Sequence, residues 1–172
     1  MRYNIIGFQI SYGNSVGYFI LKGGIKVENV SLVSLYSGSK GNSTYIRIGN
    51  DEILIDAGRS LRALSTALNS IGSDLARIKA IFITHEHSDH TSALEMLSKK
   101  HRIPIHITEV SAKKVLATTR YAAHNLVCHP PLYEVEVGDI KIRSFPTPHD
   151  SDMSVGYTIL SPDGEKIGFA TD

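Results

Sequence analysis

The sequence predicts one α/β domain built around a mixed β-sheet. Apolar runs of strand length alternate with segments of helical periodicity, and strand-rich stretches lie towards both ends of the chain. The 172 residues are enough for one domain with a substantial core but hardly for two. With 42% apolar and 20% charged residues, the composition is that of an ordinary globular protein.

The first part of the domain predicts three strands followed by a helix and a buried strand. A hairpin signal at 49–51 separates the second and third strands. The helix has leucines at helical spacing, Ser60 as a candidate cap and Gly72 as its stop. The nearly continuous apolar run KAIFIT is typical of a strand buried on both faces. In chain order, the expected elements are strands Val30–Tyr36, Thr44–Ile48 and Glu52–Ile55, a helix over Ser60–Ile71 and a strand over Lys79–Thr84.

The second part predicts two further helices and five further strands. Ser92 and Glu95 have the spacing of a capping box, which indicates a helix that starts there and runs to about Lys100. Residues 119–131 show no regular pattern and are expected to be irregular. The remaining expected elements are a strand over Ile103–Thr108, a helix over Ser111–Thr118, and strands over 132–137, 140–145, 153–160 and 166–170.

Charge and cysteine content narrow the function classes. The net charge is +1 with histidine neutral, so the chain has no overall signature of polyanion binding. Two basic runs, Lys99–Arg102 and Lys113–Lys114, are better explained as solvated helix ends than as nucleic-acid contacts. The one cysteine, Cys128, cannot form an intrachain disulfide, which favours a reducing cytoplasm. Because the sequence has no long apolar run, we expect no membrane-spanning segment.

The segment THEHSDH, residues 84–90, concentrates histidine and acid between a buried strand and a helix. The carboxyl end of such a strand is where α/β sheets place their sites. In extended backbone a His-x-His pair can direct two imidazoles to one side. Neutral imidazole is the commonest metal ligand, and carboxylates accept Zn²⁺ or Mn²⁺. We therefore predict a metal site formed by His85, His87, Asp89 and His90.

Three other residues bear on this site. His149 lies in FPTPHDS, where two prolines hold an extended loop after a strand, and beside a metal motif we interpret it as a ligand. Asp172 ends the strand-like run KIGFATD, and an acid there carries no functional signal by itself. Glu86 is interleaved with the histidines, and we expect its side chain to point away from the metal.

Five motifs, in order, make the sequence resemble the metallo-β-lactamase fold hydrolases. They are SLYSGSKGNSTYI, EILIDAG, IFITHEHSDH, FPTPHDS and GFATD, and they extend from about Val30 to Asp172. More closely, the chain resembles the YycJ/WalJ-type branch, whose members are similar to nucleases and phosphodiesterases. The resemblance implies an αββα sandwich of which residues 30–172 form the N-terminal portion, without the C-terminal half.

The resemblance also implies a site for two divalent ions, Zn²⁺ or Mn²⁺. The implied ligands are His85, His87 and His149 for the first metal, Asp89 and His90 for the second, and Asp172 as a bridge between them. Asp56, in the DAG turn, would brace the metal loop rather than bind metal. The zinc β-lactamases that hydrolyse antibiotics typically have cysteine at the bridging position, so Asp172 disfavours antibiotic hydrolysis.

Such a site implies hydrolysis of phosphodiester bonds, with nucleic acid as the expected substrate and exonuclease-like action. Two cations about 3.5–4 Å apart would lower the pKa of a bridging water, and the resulting hydroxide would attack the polarised phosphoryl group. Asp89 would orient this hydroxide while binding the second metal. Lys40, in SGSKGNS, is a weak candidate for phosphate contact; a tight connection between strands near the site explains the same segment equally well.

Several alternatives stay open from the sequence. One is hydrolysis of thioesters or other acyl bonds at the same metals, because one fold hosts many chemistries. Another is a truncated remnant that binds metal without turnover, since family members continue beyond the GFATD strand and supply there a further histidine. The sheet face that this leaves uncovered would invite self-association. A metal-free nucleic-acid-binding module is the weakest alternative, because the basic residues lack interleaved aromatic residues.

Residues 1–29 precede the segment that carries the resemblance. We interpret them as an N-terminal extension outside the domain. In one hypothesis these residues are not native and translation starts at Val27. The nucleotides that are read as codons for Lys22–Lys26 would then be the ribosome-binding site upstream of that start. The coding DNA tests this hypothesis, because any codon choice without a purine-rich AGGAGG core removes it.

Overall fold

The computed structural model describes residues 10–12, 15–22, 30–118, 124–164 and 166–171. Its strands are β1 (Ile10–Tyr12), β2 (Ser15–Lys22), β3 (Val30–Tyr36), β4 (Ser43–Ile48), β5 (Asp51–Ile55), β6 (Ile78–Phe82), β7 (Ile105–Thr108), β8 (Leu126–His129), β9 (Glu134–Val137), β10 (Ile140–Thr147), β11 (Ser154–Leu160) and β12 (Lys166–Ala170). Its helices are α1 (Leu61–Ser70), α2 (Ser88–Thr91), α3 (Leu94–Lys100) and α4 (Glu109–Thr118).

The described strands form two six-stranded sheets. The first sheet has the order β1-β2-β12-β11-β10-β9, and its pairs are antiparallel. The second has the order β3-β4-β5-β6-β7-β8 and is mixed, because β3 to β5 pair antiparallel whereas β5 to β8 pair parallel. Parallel neighbours need crossover connections, and here the crossovers contain the helices. The predicted α/β class with a mixed sheet is confirmed.

Two apolar cores lie on the two faces of the second sheet, because alternate residues of a strand point to opposite faces. Ile53 and Phe82 pack against Tyr157 in the core between the sheets. Their neighbours Leu54 and Ile81 pack in the other core, to which α1, α3 and α4 contribute. Full burial of each such side chain is worth about 1.5–3 kcal/mol. The described layers are helix, sheet and sheet, as an αββα sandwich requires of its first three layers.

Some predicted elements differ from the observed ones. The capping box at Ser92 is wrong: its hydroxyl donates to the carbonyl of Ser88, and α3 starts later, with Ala93 at the cap position. The irregular segment predicted for 119–131 is wrong for Leu126–His129, which forms β8 beside β7; residues 119–123 lie outside the described part. The cap predicted at Ser60 is confirmed, because its Oγ accepts from the N–H of Ala63 at 3.3 Å.

The segment before Val30 contributes strands to the first sheet. β2 pairs antiparallel with β12, and β1 pairs with β2. Residues 1–9, 13–14 and 23–29, including Val27, lie outside the described residues. That residues 1–29 are an extension that is not native, with translation from Val27, stays a prediction. None of the helices that the structure describes is long and apolar enough to cross a membrane.

Candidate metal centre

β6 carries the histidine loop to the edge of the second sheet. It pairs parallel with both β5 and β7, and its carboxyl end continues through Thr84 to His85. Both of these side chains are completely buried. The carbonyl oxygen of Thr84 accepts a hydrogen bond from the N–H of Val155 at 3.0 Å, which ties the loop to β11 of the first sheet. The loop is therefore held between the two sheets at the edge where α/β sheets place their sites.

Three ring nitrogens converge in this loop region. Nε2 of His85 lies 3.1 Å from Nδ1 of His87 and 3.2 Å from Nε2 of His149. The nitrogens of His87 and His149 are 3.3 Å apart. The side chains of His87 and His149 are 38% and 16% exposed, so solvent reaches the group. The structure thus brings together the three residues that were assigned to the first metal.

The spacing of these nitrogens suits a metal ion. A tetrahedral ion with metal–nitrogen bonds of about 2.0–2.1 Å requires ligand nitrogens about 3.3–3.4 Å apart, close to the measured values. Neutral imidazoles whose lone pairs face one another at this distance repel unless a cation or a proton lies between them. Within the described residues, His85, His87 and His149 offer ligand atoms that all lie within 4.8 Å of one another. This donor set fits a divalent cation.

Burial and Thr84 set the chemical state of His85. Burial is the largest cause that lowers the pKa of His85, to about 4, and the nearby imidazole of His90 adds to it. Oγ1 of Thr84 lies 2.9 Å from Oδ2 of Asp56 and 3.0 Å from Nδ1 of His85. Because the hydroxyl donates its proton to the carboxylate, it accepts from Nδ1–H of His85. The lone pair of Nε2 is then directed at the other two histidines.

Asp56 holds the histidine loop in place through hydrogen bonds to Thr84 and His90. Its buried carboxylate accepts from the N–H of Thr84 at 2.9 Å and from Nδ1 of His90 at 2.8 Å. Its backbone φ is 63°, in the left-handed region that Asp adopts more readily than most residues. The sharp turn after β5 directs the carboxylate back under the loop. These contacts are those of a brace rather than of a metal ligand.

Asp89 and His90 form a second group beside the first. The ring centroids of His85 and His90 are 4.1 Å apart, and Nε2 of His90 lies 3.6 Å from Oδ2 of Asp89. Because Nδ1–H of His90 is donated to the Asp56 carboxylate, Nε2 keeps its lone pair. Nδ2 of Asn42 lies 3.0 Å from this Nε2 and 3.1 Å from Oδ2 of Asp89, so the amide donates to both.

The SGSKGNS loop packs closely against the backbone of Asp89. Asn42 donates its N–H to the carbonyl of Asp89 at 2.7 Å. A Cβ on Gly58 would lie 1.5 Å from that same carbonyl oxygen, so only glycine allows the approach. The loop therefore acts as a tight connection near the site. Lys40 is exposed, and its carbonyl accepts from Arg59; its contact with phosphate stays a prediction.

Glu86 points away from the three histidines, as expected, and connects their loop to two other elements. Its carboxylate accepts from Oγ of Ser111 at 2.9 Å, Oγ of Ser151 at 2.9 Å and Nζ of Lys114 at 2.8 Å. Burial disfavours its ionised form, but these donors outweigh burial and lower the pKa of Glu86 to about 2. Because Ser151 closely follows His149, Glu86 helps to fix His149 relative to its partners.

Sequence reasoning missed Asn42 and the roles of Thr84 and Glu86. Asn42 and Thr84 are buried polar residues that contact two candidate ligands each, and nothing in their spacing distinguishes them from turn residues. Asp172 lies outside the described residues, so its bridging role stays a prediction. β12 runs antiparallel to β11 with Phe169 opposite Tyr157, and its carboxyl end therefore lies where β11 begins, near the loop of His149.

Comparison with known families matches residues 36–172 to a model described as the metallo-beta-lactamase superfamily. The chain belongs to this superfamily. The matched range contains every candidate metal ligand, and it confirms the resemblance seen in the sequence.

Two curated relatives of this superfamily member have names that describe nucleases. Exodeoxyribonuclease WalJ of Streptococcus pneumoniae serotype 2 is 30% identical over 133 residues, which cover 75% of this chain and 49% of the relative. Exodeoxyribonuclease YycJ of Bacillus anthracis is 28% identical over 147 residues, which cover 80% of this chain and 52% of the relative. The chain thus spans about half the length of these relatives.

Solved structures of the superfamily show the same fold. The metallo-beta-lactamase fold protein YhfI of Bacillus subtilis has a TM-score of 0.59 at 17% identity, with 75% of this chain and 56% of that chain covered. At this identity the likeness establishes the fold alone.

Proposed function

We propose that this protein hydrolyses phosphodiester bonds of nucleic acid with two divalent metal ions. The observation that carries the proposal is the convergence of three imidazole nitrogens at 3.1–3.3 Å beside the pair Asp89 and His90. The exodeoxyribonuclease names of the relatives support nucleic acid as the substrate class. Those relatives are about twice as long, so the activity is proposed rather than transferred.

The residues divide into ligands and braces. The proposed ligands are His85, His87 and His149 for one ion and Asp89 and His90 for the other, with Asp172 as a bridge between the two ions. Divalent ions in such a site lower the pKa of water and polarise a phosphoryl oxygen. Zn²⁺ suits the three imidazoles, and the carboxylates accept Zn²⁺ or Mn²⁺.

The braces hold the second group in a defined chemical state. Asp56 accepts a hydrogen bond from Nδ1–H of His90, which leaves the lone pair on Nε2, and Asn42 fixes the direction of the Asp89 carboxylate. The side chain of Asp89 is 26% exposed, which lets it contact both substrate and solvent. This exposure supports the proposed role of Asp89 in orienting the attacking water.

The test compares two phosphodiester substrates with an acyl thioester on the zinc- or manganese-loaded protein. We expect turnover of bis-para-nitrophenyl phosphate and of single-stranded DNA, and none of an acyl thioester. The His87→Ala variant, altered at a partly exposed position, should lose the diesterase activity. Turnover of the thioester without the diester would contradict the proposal and favour acyl hydrolysis.

Metal content separates an enzyme from a metal-binding remnant. Two ions per chain after removal of loosely held metal would support the dinuclear site. One ion per chain, with no diester turnover, would contradict it for this chain.

A further inference from the structure

A second candidate site lies in a cavity of about 630 Å³ away from the metal centre. Its volume is within the range of about 300–1,000 Å³ that is typical of small-molecule sites. The residues that line it share one region, the end of α3 and the starts of β7 and β8. They are Ser98, Lys99, Lys100, His101, Arg102, Pro104, His124, Asn125, Leu126 and Val127.

The cavity opens at the amino-terminal end of β7 and β8, whereas the histidine loop lies at the carboxyl end of the neighbouring strand β6. β6, β7 and β8 are parallel, and Ile81 pairs with Ile105 at the start of β7. His85 follows Ile81 by four residues, about 13 Å further along the strands at about 3.3 Å per residue. The cavity is therefore a separate surface feature, about 13 Å from the histidine loop along the strand direction.

The lining is cationic around an apolar floor. Lys100 and Arg102 carry positive charge together with Lys99, and no Asp or Glu is among the described residues that line the cavity. Compensation of the α3 dipole explains lysines in its last turn. It does not explain Arg102 or His124, which lie outside the helix and converge on the same space. The apolar floor includes Leu126 and Val127.

Two lining residues have buried polar atoms that lack partners. Oγ of Ser98 and Oδ1 of Asn125 are buried and have no hydrogen-bond partner among the described residues. Nδ2 of Asn125 donates to the carbonyl of Ile103, which fixes Oδ1 as an acceptor. Buried polar atoms are normally paired, but these two are closed to solvent and therefore offer no contact to a ligand in the cavity. A bare phosphate would leave the apolar side chains of Leu126 and Val127 uncovered, whereas a nucleobase would cover them.

We propose that this cavity binds a nucleotide unit of a single-stranded nucleic acid whose end lies at the metal centre. The lysines and Arg102 contact phosphates, and the apolar residues Leu126 and Val127 support a base. The proposal rests on the proposed function, because it assigns a second contact to the same substrate. It gives Lys99–Arg102 a binding role in place of the interpretation of these residues as a solvated helix end, which stays the alternative.

The test measures binding without cleavage. A labelled 12-nucleotide oligothymidylate is titrated with protein in EDTA, by fluorescence anisotropy at several salt concentrations. The Lys100→Ala/Arg102→Ala double variant is compared with a control, Lys113→Ala/Lys166→Ala, which removes the same charge at exposed positions outside the cavity. We expect the cavity variant to bind about tenfold more weakly and to lower the salt slope by about 1.4, because two phosphate contacts are lost. The control should stay within about twofold of the unaltered protein.

Three results would overturn the proposal. Equal weakening by both double variants would indicate general charge attraction, and unchanged binding by the cavity variant would exclude the cavity. Competition by thymidine monophosphate as effective as that by the oligonucleotide would assign the cavity to a free nucleotide. Turnover of bis-para-nitrophenyl phosphate by the metal-loaded protein is measured separately; its absence would contradict the proposed hydrolysis while the binding result still decides the cavity.

Discussion

His85 and His106 are buried to a similar degree, and burial lowers the pKa of each to about 4, yet their neighbours differ. His85 meets two other histidines at the edge of the sheets. His106 lies in β7 and stacks on Phe82 on one side and on His129 on the other, with ring centroids 4.7 and 5.1 Å apart. His85 belongs to an open group, which consists of His85, His87 and His149 and is reached by solvent. His106 belongs to an aromatic stack between the sheets.

The stack continues from His129 into the first sheet. The His129 ring stacks on Tyr133 at 4.1 Å, and the hydroxyl of Tyr133 lies 3.1 Å from that of Tyr157. Tyr157 donates in turn to the carbonyl of Ile83. Nδ1 of His106 and Nε2 of His129 lie 2.9 Å apart, so these two nitrogens pair with each other. The stack therefore serves packing, because its rings contact one another and Nδ1 of His106 is paired with Nε2 of His129.

The comparison shows that burial and a lowered pKa do not by themselves mark a metal ligand. Both histidines have them. The distinguishing features are three ring nitrogens that face one point and two partners, His87 and His149, that solvent reaches. Variants in the two groups should therefore separate metal binding from stability.

Removal of a ligand from the open group should have the largest effect. We expect His87→Ala to weaken zinc binding by about 10²- to 10³-fold, because a binding free energy of about 10–16 kcal/mol is shared among about four ligands. The measurement is competition for zinc with a chromophoric chelator. His106→Phe serves as the control and should keep zinc affinity within about threefold, because it touches only the stack. Equal loss in both variants would contradict the division into two groups.

Removal of the brace under the open group should have a smaller effect on metal binding. Asp56→Asn loses the charge that holds Nδ1–H of His90 and the N–H of Thr84. Loss of such an outer contact typically costs about 10- to 100-fold in metal affinity. We expect this loss mainly at the second ion, seen as a drop in metal content from two ions to one. Retention of both ions at full affinity would show that His90 does not need the brace.

The sequence predicted the open group better than the stack, for a physical reason. His85 and His87 fall within one short loop, so local spacing brings them together, and His149 was assigned to them only because a histidine beside a metal motif is a candidate ligand. His106 and His129 meet only because β8 pairs with β7, and the segment of β8 was expected to be irregular. Leu126–His129 has no strict alternation and ends before two prolines, so tertiary pairing decides its conformation.

The residues that support the candidate ligands were also hard to predict from local spacing. Asp56 was placed under the loop by resemblance, but Asn42 and Glu86 act through contacts between segments far apart in the chain. The helix cap at Ser60 was predictable because it is local. The capping box at Ser92 failed because the chain first forms α2, and the N–H of Ala93 donates to the carbonyl of Ala57.

Acid should destabilise the metal-free protein through both buried histidines. Their folded-state pKa of about 4 lies below the ordinary value of 6.5, so between these values the unfolded chain binds more protons. Stability is fully present above about pH 6.5 and falls as the pH drops, by about 1 kcal/mol per histidine at pH 5.5. We expect urea unfolding in EDTA to show a smaller loss from pH 7.5 to 5.5 in His106→Phe. An unchanged pH dependence would show that His106 is not neutral in the fold.

The smallest effect is expected at Lys40, which touches neither histidine group. Its exposed side chain lies on the SGSKGNS loop, whose backbone and Asn42 already hold Asp89. If the loop is only a connection, Lys40→Ala should leave kcat and KM for a small phosphodiester unchanged. If the ammonium also contacts phosphate, KM should rise by up to about threefold, the value of one exposed charge contact, with kcat unchanged. A large fall in kcat would contradict both interpretations, because it would place Lys40 within the open group's chemistry rather than beside it.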